Sequence, residues 1–163
     1  MYLDVCEFGF ENRGRRFFEL LIALRLDGFT LELFGDSRAP TAIAYTFHWA
    51  GWVDRVLIRS FDRVAAARIP AGDDVNAPET VAWAYLGYDV GMALHALQAL
   101  LTLPHPDHPD APASTTPAPR DLHVPVGDRV PSTTRPPSPL GQMRRVCRLT
   151  YDLSTAGASS ALR

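Results

Sequence analysis

Residues 18–34 read FELLIALRLDGFTLELF, two apolar runs joined by the dipeptide Asp27-Gly28. An Asp-Gly pair between alternating apolar runs is typical of a β-hairpin, because a type I′ turn needs a positive φ at its central residues. Folding the chain at this point places Leu24 opposite Leu31. The stretch therefore predicts a hairpin with one apolar and one mixed face, as in a sheet that covers a core on one side.

A helix over residues 15–26 is the competing interpretation of this stretch, because Leu, Ala, Glu and Arg all favour helices. The hairpin is preferred because the apolar residues alternate better than they follow a stripe with a period of 3.6 residues. Residues 2–10 are rich in aromatic and β-branched types and predict a preceding strand, with a turn at residues 12–14.

The same alternation continues downstream and predicts further strands. Residues 42–49 alternate large apolar side chains with small or polar ones, and residues 80–86 do the same. Residues 52–69 fit either an amphipathic helix or two strands with a turn at residues 61–62. Their β-branched content and the tight connections favour the two strands slightly.

A C-terminal helix is predicted after the last of these strands. Asp89 is of a residue type that caps helix N-termini, and an apolar stripe runs from there to Leu103, where Pro104 ends the helix. This helix is expected to cover the apolar face of the sheet. The fold class is therefore α+β: an antiparallel β-meander of five to seven strands packed against one C-terminal helix.

A change in composition divides the chain after this helix. Eleven of the fourteen prolines lie in residues 104–139, which contain few large apolar side chains. Such a segment cannot offset the entropy of ordering and predicts a disordered Pro-rich linker. The sequence thus predicts a single domain over residues 1–103, this linker as a disordered tail, and a C-terminal extension over residues 140–163. Alternation at residues 145–153 makes the extension either a short tethered strand or a segment without function.

Composition limits the possible functions of the chain. The 163 residues carry a formal net charge of −2, which argues against broad electrostatic attraction to nucleic acid or acidic membranes. Cys6 and Cys147 form no metal-binding spacing. No basic and apolar leader or membrane-spanning run is recognisable, so the expectation is a reduced cytoplasmic protein. All sixteen basic residues are Arg, as expected from high-GC codon usage.

The first candidate site is a basic and aromatic patch near the N-terminus. It combines the side chains of Arg13, Arg15 and Arg16 with those of Phe10, Phe17 and Phe18. Guanidinium contacts to phosphate together with aromatic stacking would suit single-stranded nucleic acid on a sheet. Interleaved glutamates cancel most of the field, so a solvated strand end is the preferred interpretation.

A second candidate site is the aromatic cluster around Trp49 and Trp52. If these rings point inward they form the core between sheet and helix, which is the preferred interpretation. If they point outward they mark an interaction surface.

Other candidates concern metal binding and catalysis. His105 and His108, with nearby carboxylates, form the densest set of metal-ligand types, but no closed set of four ligands is present, so no metal and no cofactor are predicted. His48, Asp54 and Cys6 could supply a nucleophile, a base and an orienting group, although nothing in their spacing supports this. No catalytic residue is predicted.

Residues 80–112, TVAWAYLGYDVGMALHALQALLTLPHPDHPDAP, carry a resemblance to other sequences. The chain resembles a recurring kind of small actinobacterial protein in which a Trp/Tyr strand leads into a Leu/Ala helix and then an LPxP tail. The resemblance covers about residues 16–112 and implies no activity.

The absence of a coherent catalytic set, the aromatic sheet and the Pro-rich arm together predict a non-catalytic interaction or accessory module. It would bind another protein or itself through an open sheet edge or the tail. One alternative is a nucleic-acid-binding protein that uses the patch at residues 13–18. Another is a small enzyme or metal protein whose residues converge only in three dimensions.

Overall fold

A computed structural model describes the backbone of residues 4–160 and the side chains of residues 12–150. The long helices of this part are α1 (Asp4–Leu26), α2 (Val90–Leu101) and α3 (Pro139–Ser160). The strands are β1 (Thr30–Asp36), β2 (Ala39–His48), β3 (Trp52–Ser60), β4 (Arg63–Pro70), β5 (Thr80–Val81), β6 (Trp83–Gly87), β7 (Thr116–Pro117) and β8 (Thr133–Arg135). Two short 3-10 turns lie at Arg120–Leu122 and Val126–Asp128.

The main sheet has six antiparallel strands in the order β6-β4-β3-β2-β1-β8. Four consecutive strands, β1 to β4, lie side by side, so the centre of the sheet is a meander. Strands β5 and β7 form a separate two-stranded ladder. The predicted α+β class with an antiparallel meander is confirmed.

Several local predictions are confirmed with it. Residues 52–69 form two strands, β3 and β4, and the turn between them lies at residues 61–62. Helix α2 begins after Asp89, whose Oδ1 accepts a hydrogen bond from the N–H of Met92 at 2.8 Å. The strand predicted at residues 80–86 is interrupted at Ala82, whose N–H donates to the Arg68 carbonyl instead.

The predicted strand at residues 2–10 and the first arm of the predicted hairpin are wrong. Residues 4–26 form the single helix α1, while residues 2 and 3 lie outside the described part. The Asp-Gly dipeptide ends this helix instead of joining two strands. Only the second arm of the predicted hairpin, at β1, is a strand.

The end of α1 explains how the Asp-Gly signal misled. Gly28 has φ +82°, its N–H donates to the Arg25 carbonyl at 3.1 Å, and the N–H of Phe29 donates to the Leu24 carbonyl at 3.1 Å. This pair of bonds is the Schellman motif that ends many helices. A helix C-cap and a type I′ turn both require a positive φ, so the same dipeptide serves both.

One face of the sheet is covered by helices, and the main core lies there. The buried side chains of α1 and α2 pack against the inward side chains of β2, β3 and β4. Its buried members include Phe17, Leu20, Leu24, Phe47, Val56, Ala66, Leu97 and Leu100.

The opposite face of the sheet is covered by the Pro-rich segment. Leu122 and Val124 are buried there against apolar residues of the central strands. The prediction of a disordered linker over residues 104–139 is therefore corrected. Long-range hydrogen bonds hold the segment as well: the guanidinium of Arg59 donates to the carbonyls of Asp121 and His123, both at 2.6 Å.

The C-terminal extension also differs from its prediction. Residues 139–160 form helix α3, so the short strand suggested by alternation at residues 145–153 is not present. Arg145 and Leu149, four residues apart, are both buried, and this spacing brings them to one face of a helix. The predicted domain of residues 1–103 leaves out two elements that contact the sheet, the Pro-rich segment and α3.

The packing of the Pro-rich segment can be tested with one substitution at two positions. Val124→Ala should lower the free energy of unfolding by about 1.5–3 kcal/mol, because two buried methyl groups are lost and a cavity remains. Val130→Ala removes the same atoms from a side chain that is 85% exposed and should leave stability unchanged. Urea unfolding followed by tryptophan fluorescence measures both. Equal effects of the two variants would contradict the packed segment.

Candidate functional site

A buried cluster of charges lies between the sheet and the helices. Asp54 on β3 and Arg68 on β4 are directly opposite in the strand register, and Arg145 reaches them from α3. The side chains of all three are completely buried. Such burial is unfavourable for a charge unless each ion is paired and hydrogen-bonded.

The carboxylate of Asp54 accepts four hydrogen bonds from donors within the protein. Its Oδ1 accepts from Arg68 Nε at 2.6 Å, and its Oδ2 accepts from Arg68 Nη2 at 2.8 Å. The same Oδ2 accepts from Arg145 Nη2 at 3.1 Å and from the indole of Trp49 at 2.8 Å. Because the side chain is completely buried and four donors of the protein already engage it, this carboxylate is not accessible to a substrate as a general base.

The two arginines of the cluster also satisfy the end of α2. Arg145 donates to the carbonyls of Leu100 and Leu101 at 3.2 Å, and Arg68 donates to the Pro104 carbonyl at 2.8 Å. The Leu100 and Leu101 carbonyls carry the partial negative charge of the α2 C-terminus, while Pro104 follows the helix. The cluster therefore joins β3, β4, α2 and α3.

Arg145 has aromatic neighbours in addition to its ionic partner. Its Cζ lies 4.8 Å from the ring centre of Phe29, 5.2 Å from that of Phe47 and 5.6 Å from that of Trp49. Burial lowers the pKa of Arg145, while Asp54 acts to raise it. A guanidinium stays protonated in proteins, so these partners stabilise a permanent buried charge. We therefore interpret the cluster as a structural element that holds β3, β4, α2 and α3 together.

A second buried arginine lies on the other face of the sheet. Arg55 donates to Thr46 Oγ1 at 2.8 Å, to Asn76 Oδ1 at 2.5 Å and to Glu32 Oε1 at 3.4 Å. Burial lowers the pKa of Arg55, and Glu32 acts to raise it. Because Asn76 belongs to the loop after β4, this contact fixes that loop on the sheet.

A groove of about 390 Å³ that is lined partly by polar side chains lies between α1, α2 and α3. We call it the helix-junction groove. Arg148 donates to both oxygens of Asp27, at 3.2 Å and 2.6 Å, on one wall. Arg16 donates to Gln98 Oε1 at 3.0 Å on another. The exposed Arg144 completes the set of arginines that line it.

The outer face of α1 carries a line of exposed apolar side chains. Phe18, Ile22 and Leu26 follow one another at intervals of four residues and are 57%, 59% and 56% exposed. We call these three side chains the α1 stripe. Phe61, from the turn between β3 and β4, extends it, with its ring centre 5.9 Å from that of Phe18. Apolar grooves of about 180 Å³ and 360 Å³ adjoin the stripe.

The predicted basic patch lies on α1 and not on a sheet. Arg13, Arg15 and Arg16 are exposed, but Arg16 is paired with Glu19 at 3.3 Å and turned toward α2. Phe17 is buried in the main core and so presents no ring for stacking. The structure therefore separates the arginines from Phe17, while the side chain of Phe10 lies outside the described residues.

The predicted tryptophans are half-buried. Trp49 packs against the main core, and its ring centre lies 4.6 Å from that of Phe47. Trp52 begins β3, opposite Pro70 on β4. Of the two, Trp49 has a defined polar role, through its hydrogen bond to Asp54.

The histidine candidates are engaged locally. His105 Nδ1 accepts from the N–H of Asp107 at 3.1 Å, and His108 Nδ1 accepts from the N–H of Asp110 at 3.0 Å. Within the residues whose side chains are described, no group of three or more His, Cys, Asp or Glu could hold a metal ion.

The suggested catalytic set does not assemble. His48 is paired with Val53, and Phe47 with Asp54, so His48 and Asp54 point to opposite faces of the sheet. The side chain of Cys6 lies outside the described residues.

Sequence analysis missed the residues that dominate the buried cluster and the helix-junction groove. Arg145 and Arg148 lie in the C-terminal extension, 91 and 121 residues from the acids they contact. No local spacing signals such partners. The one available sign was the presence of three arginines within residues 144–148, of which α3 buries Arg145.

Comparison with protein families, curated proteins and solved structures finds no match for this chain. In the part that the structure describes, no helix is long and apolar enough to cross a membrane.

Proposed function

We propose that the chain is a non-catalytic interaction module of the cytoplasm that associates with a second copy of itself through the α1 stripe. The observation that carries this proposal is the exposure of three large apolar side chains in one line, with Phe61 beside them. Contiguous exposed apolar surface of this kind marks interaction sites in proteins that are otherwise well packed.

The symmetry of the stripe favours a second copy as the partner. Ile22 lies midway between Phe18 and Leu26, so an antiparallel copy of α1 would place Ile22 against Ile22 and Phe18 against Leu26. A two-fold interface requires such self-complementarity, because the same surface is used by both copies. Ridges formed by residues four apart are also the commonest surface for helix packing.

The free energy gained by burying the α1 stripe indicates how strongly two copies should associate. Burying its exposed half on both copies contributes roughly 5–9 kcal/mol, taking about 1.5–3 kcal/mol for each fully buried side chain. Association costs about 4–15 kcal/mol in lost freedom of motion. The two are of similar size, so we expect a reversible dimer whose population rises with protein concentration.

Other binding elements receive less support. The Pro-rich segment is packed against the sheet, and one sheet edge is β8, which has only three residues. For the nucleic-acid alternative, Phe17 is buried and Arg16 is engaged by Glu19 and Gln98. For the enzyme alternative, the carboxylate of Asp54 is completely buried and already accepts four hydrogen bonds within the protein.

The proposal predicts that Ile22→Glu abolishes self-association. Two carboxylates would meet at the two-fold axis in an apolar contact, and burying them there is strongly unfavourable. Sedimentation velocity from about 1 µM to about 1 mM should show concentration-dependent dimerisation of the native chain and a monomer for the variant.

The control for this test is Val130→Glu, which places the same charge on an exposed side chain of the Pro-rich segment. It should dimerise as the native chain does. A native chain that remains monomeric over the whole range, or an Ile22→Glu variant that dimerises equally, would refute the proposed self-association.

A further inference from the structure

We infer that the helix-junction groove binds a small organic anion, one that joins a carboxylate or phosphate group to a short apolar part. The groove brings three guanidinium groups, those of Arg16, Arg144 and Arg148, to one concave surface formed by three helices. This inference does not depend on self-association through the α1 stripe.

The balance of charge in the groove favours an anion. Its lining carries three arginines and two acids, Glu19 and Asp27. The carboxylate of Asp27 is neutralised by Arg148 at 2.6 Å and lies 3.7 Å from the buried Arg145. Glu19 is half exposed and is paired with Arg16 at 3.3 Å.

Arg144 is the lining arginine that neither Asp27 nor Glu19 pairs. It is exposed on α3, and among the described residues its guanidinium has neither a hydrogen bond nor an ion pair. A guanidinium presents a planar fork of donors that matches the oxygens of a carboxylate or phosphate. Arg144 is therefore free to bind a ligand without breaking a contact of the fold.

The ends of two helices also lie near this groove and act against an anion. Asp27 follows the C-terminus of α1, and Leu101 is the last residue of α2. The Leu101 carbonyl accepts from both Arg145 and Arg148 at 3.2 Å, which offsets its partial negative charge. The anionic group is therefore expected beside Arg144, away from these helix ends and from the Arg16–Glu19 pair.

The remaining lining defines the rest of the ligand. Its volume of about 390 Å³ falls within the range of roughly 300–1,000 Å³ that is usual for small-molecule sites. The lining also contains four apolar residues, of which Leu26 belongs to the α1 stripe as well; they are Leu20, Ala23, Leu26 and Leu101. An apolar portion attached to the anionic group would cover these side chains and exclude water from the ion pair.

The groove is also held in shape before any ligand enters. Arg148 is fixed by both oxygens of Asp27, and Arg16 is fixed across the groove by Gln98. Preorganised donors lose less freedom on binding, which improves affinity. Arg144, which has no such contact, is the arginine whose loss should change binding with the least change to the fold.

The test is calorimetric titration of the full chain at constant ionic strength with four probes: phenyl phosphate, benzoate, inorganic phosphate and the neutral benzyl alcohol. We expect saturable binding of phenyl phosphate or benzoate, weaker binding of inorganic phosphate, and none of benzyl alcohol. Arg144→Gln should weaken binding of the aromatic anion by about tenfold or more. Arg38→Gln, at an exposed arginine in the turn between β1 and β2, should leave it unchanged.

The two aromatic anions distinguish a phosphate from a carboxylate ligand, and either result supports the site. Absence of saturable binding of all three anions would overturn the inference. Equal loss in Arg144→Gln and Arg38→Gln would do so too, because it would show a general effect of net charge. The melting temperature of Arg144→Gln should match that of the native chain, which separates lost binding from lost folding.

Discussion

Asp54→Asn should lower the free energy of unfolding by about 3–5 kcal/mol, because it leaves Arg68 buried without a counter-charge and leaves Arg145 with only Asp27, at 3.7 Å. Asn has nearly the same shape as Asp, so the packing of Trp49 and Phe47 is retained and the change isolates the charge. An amide also cannot accept at both of its ends, so one of the present donors loses its partner.

Urea unfolding monitored by circular dichroism would measure this loss, and the melting temperature should fall by roughly 10 °C for a chain of this length. Asp110→Asn provides the control, since it makes the same change in a side chain that is 87% exposed. It should leave stability unchanged. A loss below about 1 kcal/mol in Asp54→Asn would mean that the two arginines are not confined to a dry interior.

Gly28→Ala should also be strongly destabilising, by about 2–5 kcal/mol. The first cause is the backbone, because Gly28 has φ +82°, a conformation in which a Cβ is strained. The second is contact with α3, because a Cβ at this position would overlap the backbone of Gln142. The two backbones approach closely here, since a Cβ on Gly141 would in turn meet the Leu26 carbonyl oxygen at 2.6 Å.

Gly51→Ala separates the two causes. Gly51 has φ +84°, but a Cβ there would meet nothing within 4 Å. Its substitution should cost only the backbone strain of about 1–2 kcal/mol, and both variants gain equally from the reduced freedom of the unfolded chain. Chemical unfolding of both gives the difference, which measures the contact of α1 with α3. If the two variants were equally stable, α3 would not be packed against the end of α1.

The sequence predicted those elements whose signals are local. Alternation identified β2, and the β-branched content of residues 52–69 favoured the two strands that the structure contains. The capping side chain of Asp89 located the start of α2. In each of these cases, residues within a few positions of one another determine the structure, so inspection of the sequence was sufficient.

Helix α1 was missed because it is apolar on two sides. Phe17, Leu20 and Leu24 face the core, while the α1 stripe faces outward. Two apolar faces remove the single stripe by which a helix is recognised, and the residues then resemble an alternating strand. The property that obscured the helix is the property on which the proposed self-association depends.

The Pro-rich segment and α3 are ordered because of tertiary contacts. Leu122 and Val124 find a buried apolar surface only on the assembled sheet, Leu122 against β3 and β4 and Val124 against β1, β2 and β3. Burial there offsets the entropy of ordering the segment.

The candidate sites depend on the same distant contacts. The helix-junction groove and the buried cluster exist because Arg148 and Arg145 reach acids 121 and 91 residues away. Local signals thus identified β2, β3, β4 and the N-cap of α2, but not the helix that ends at Asp27-Gly28. Which residues cover that sheet depends on contacts between distant parts of the chain, because burying a charge is unfavourable unless the folded protein supplies its partner.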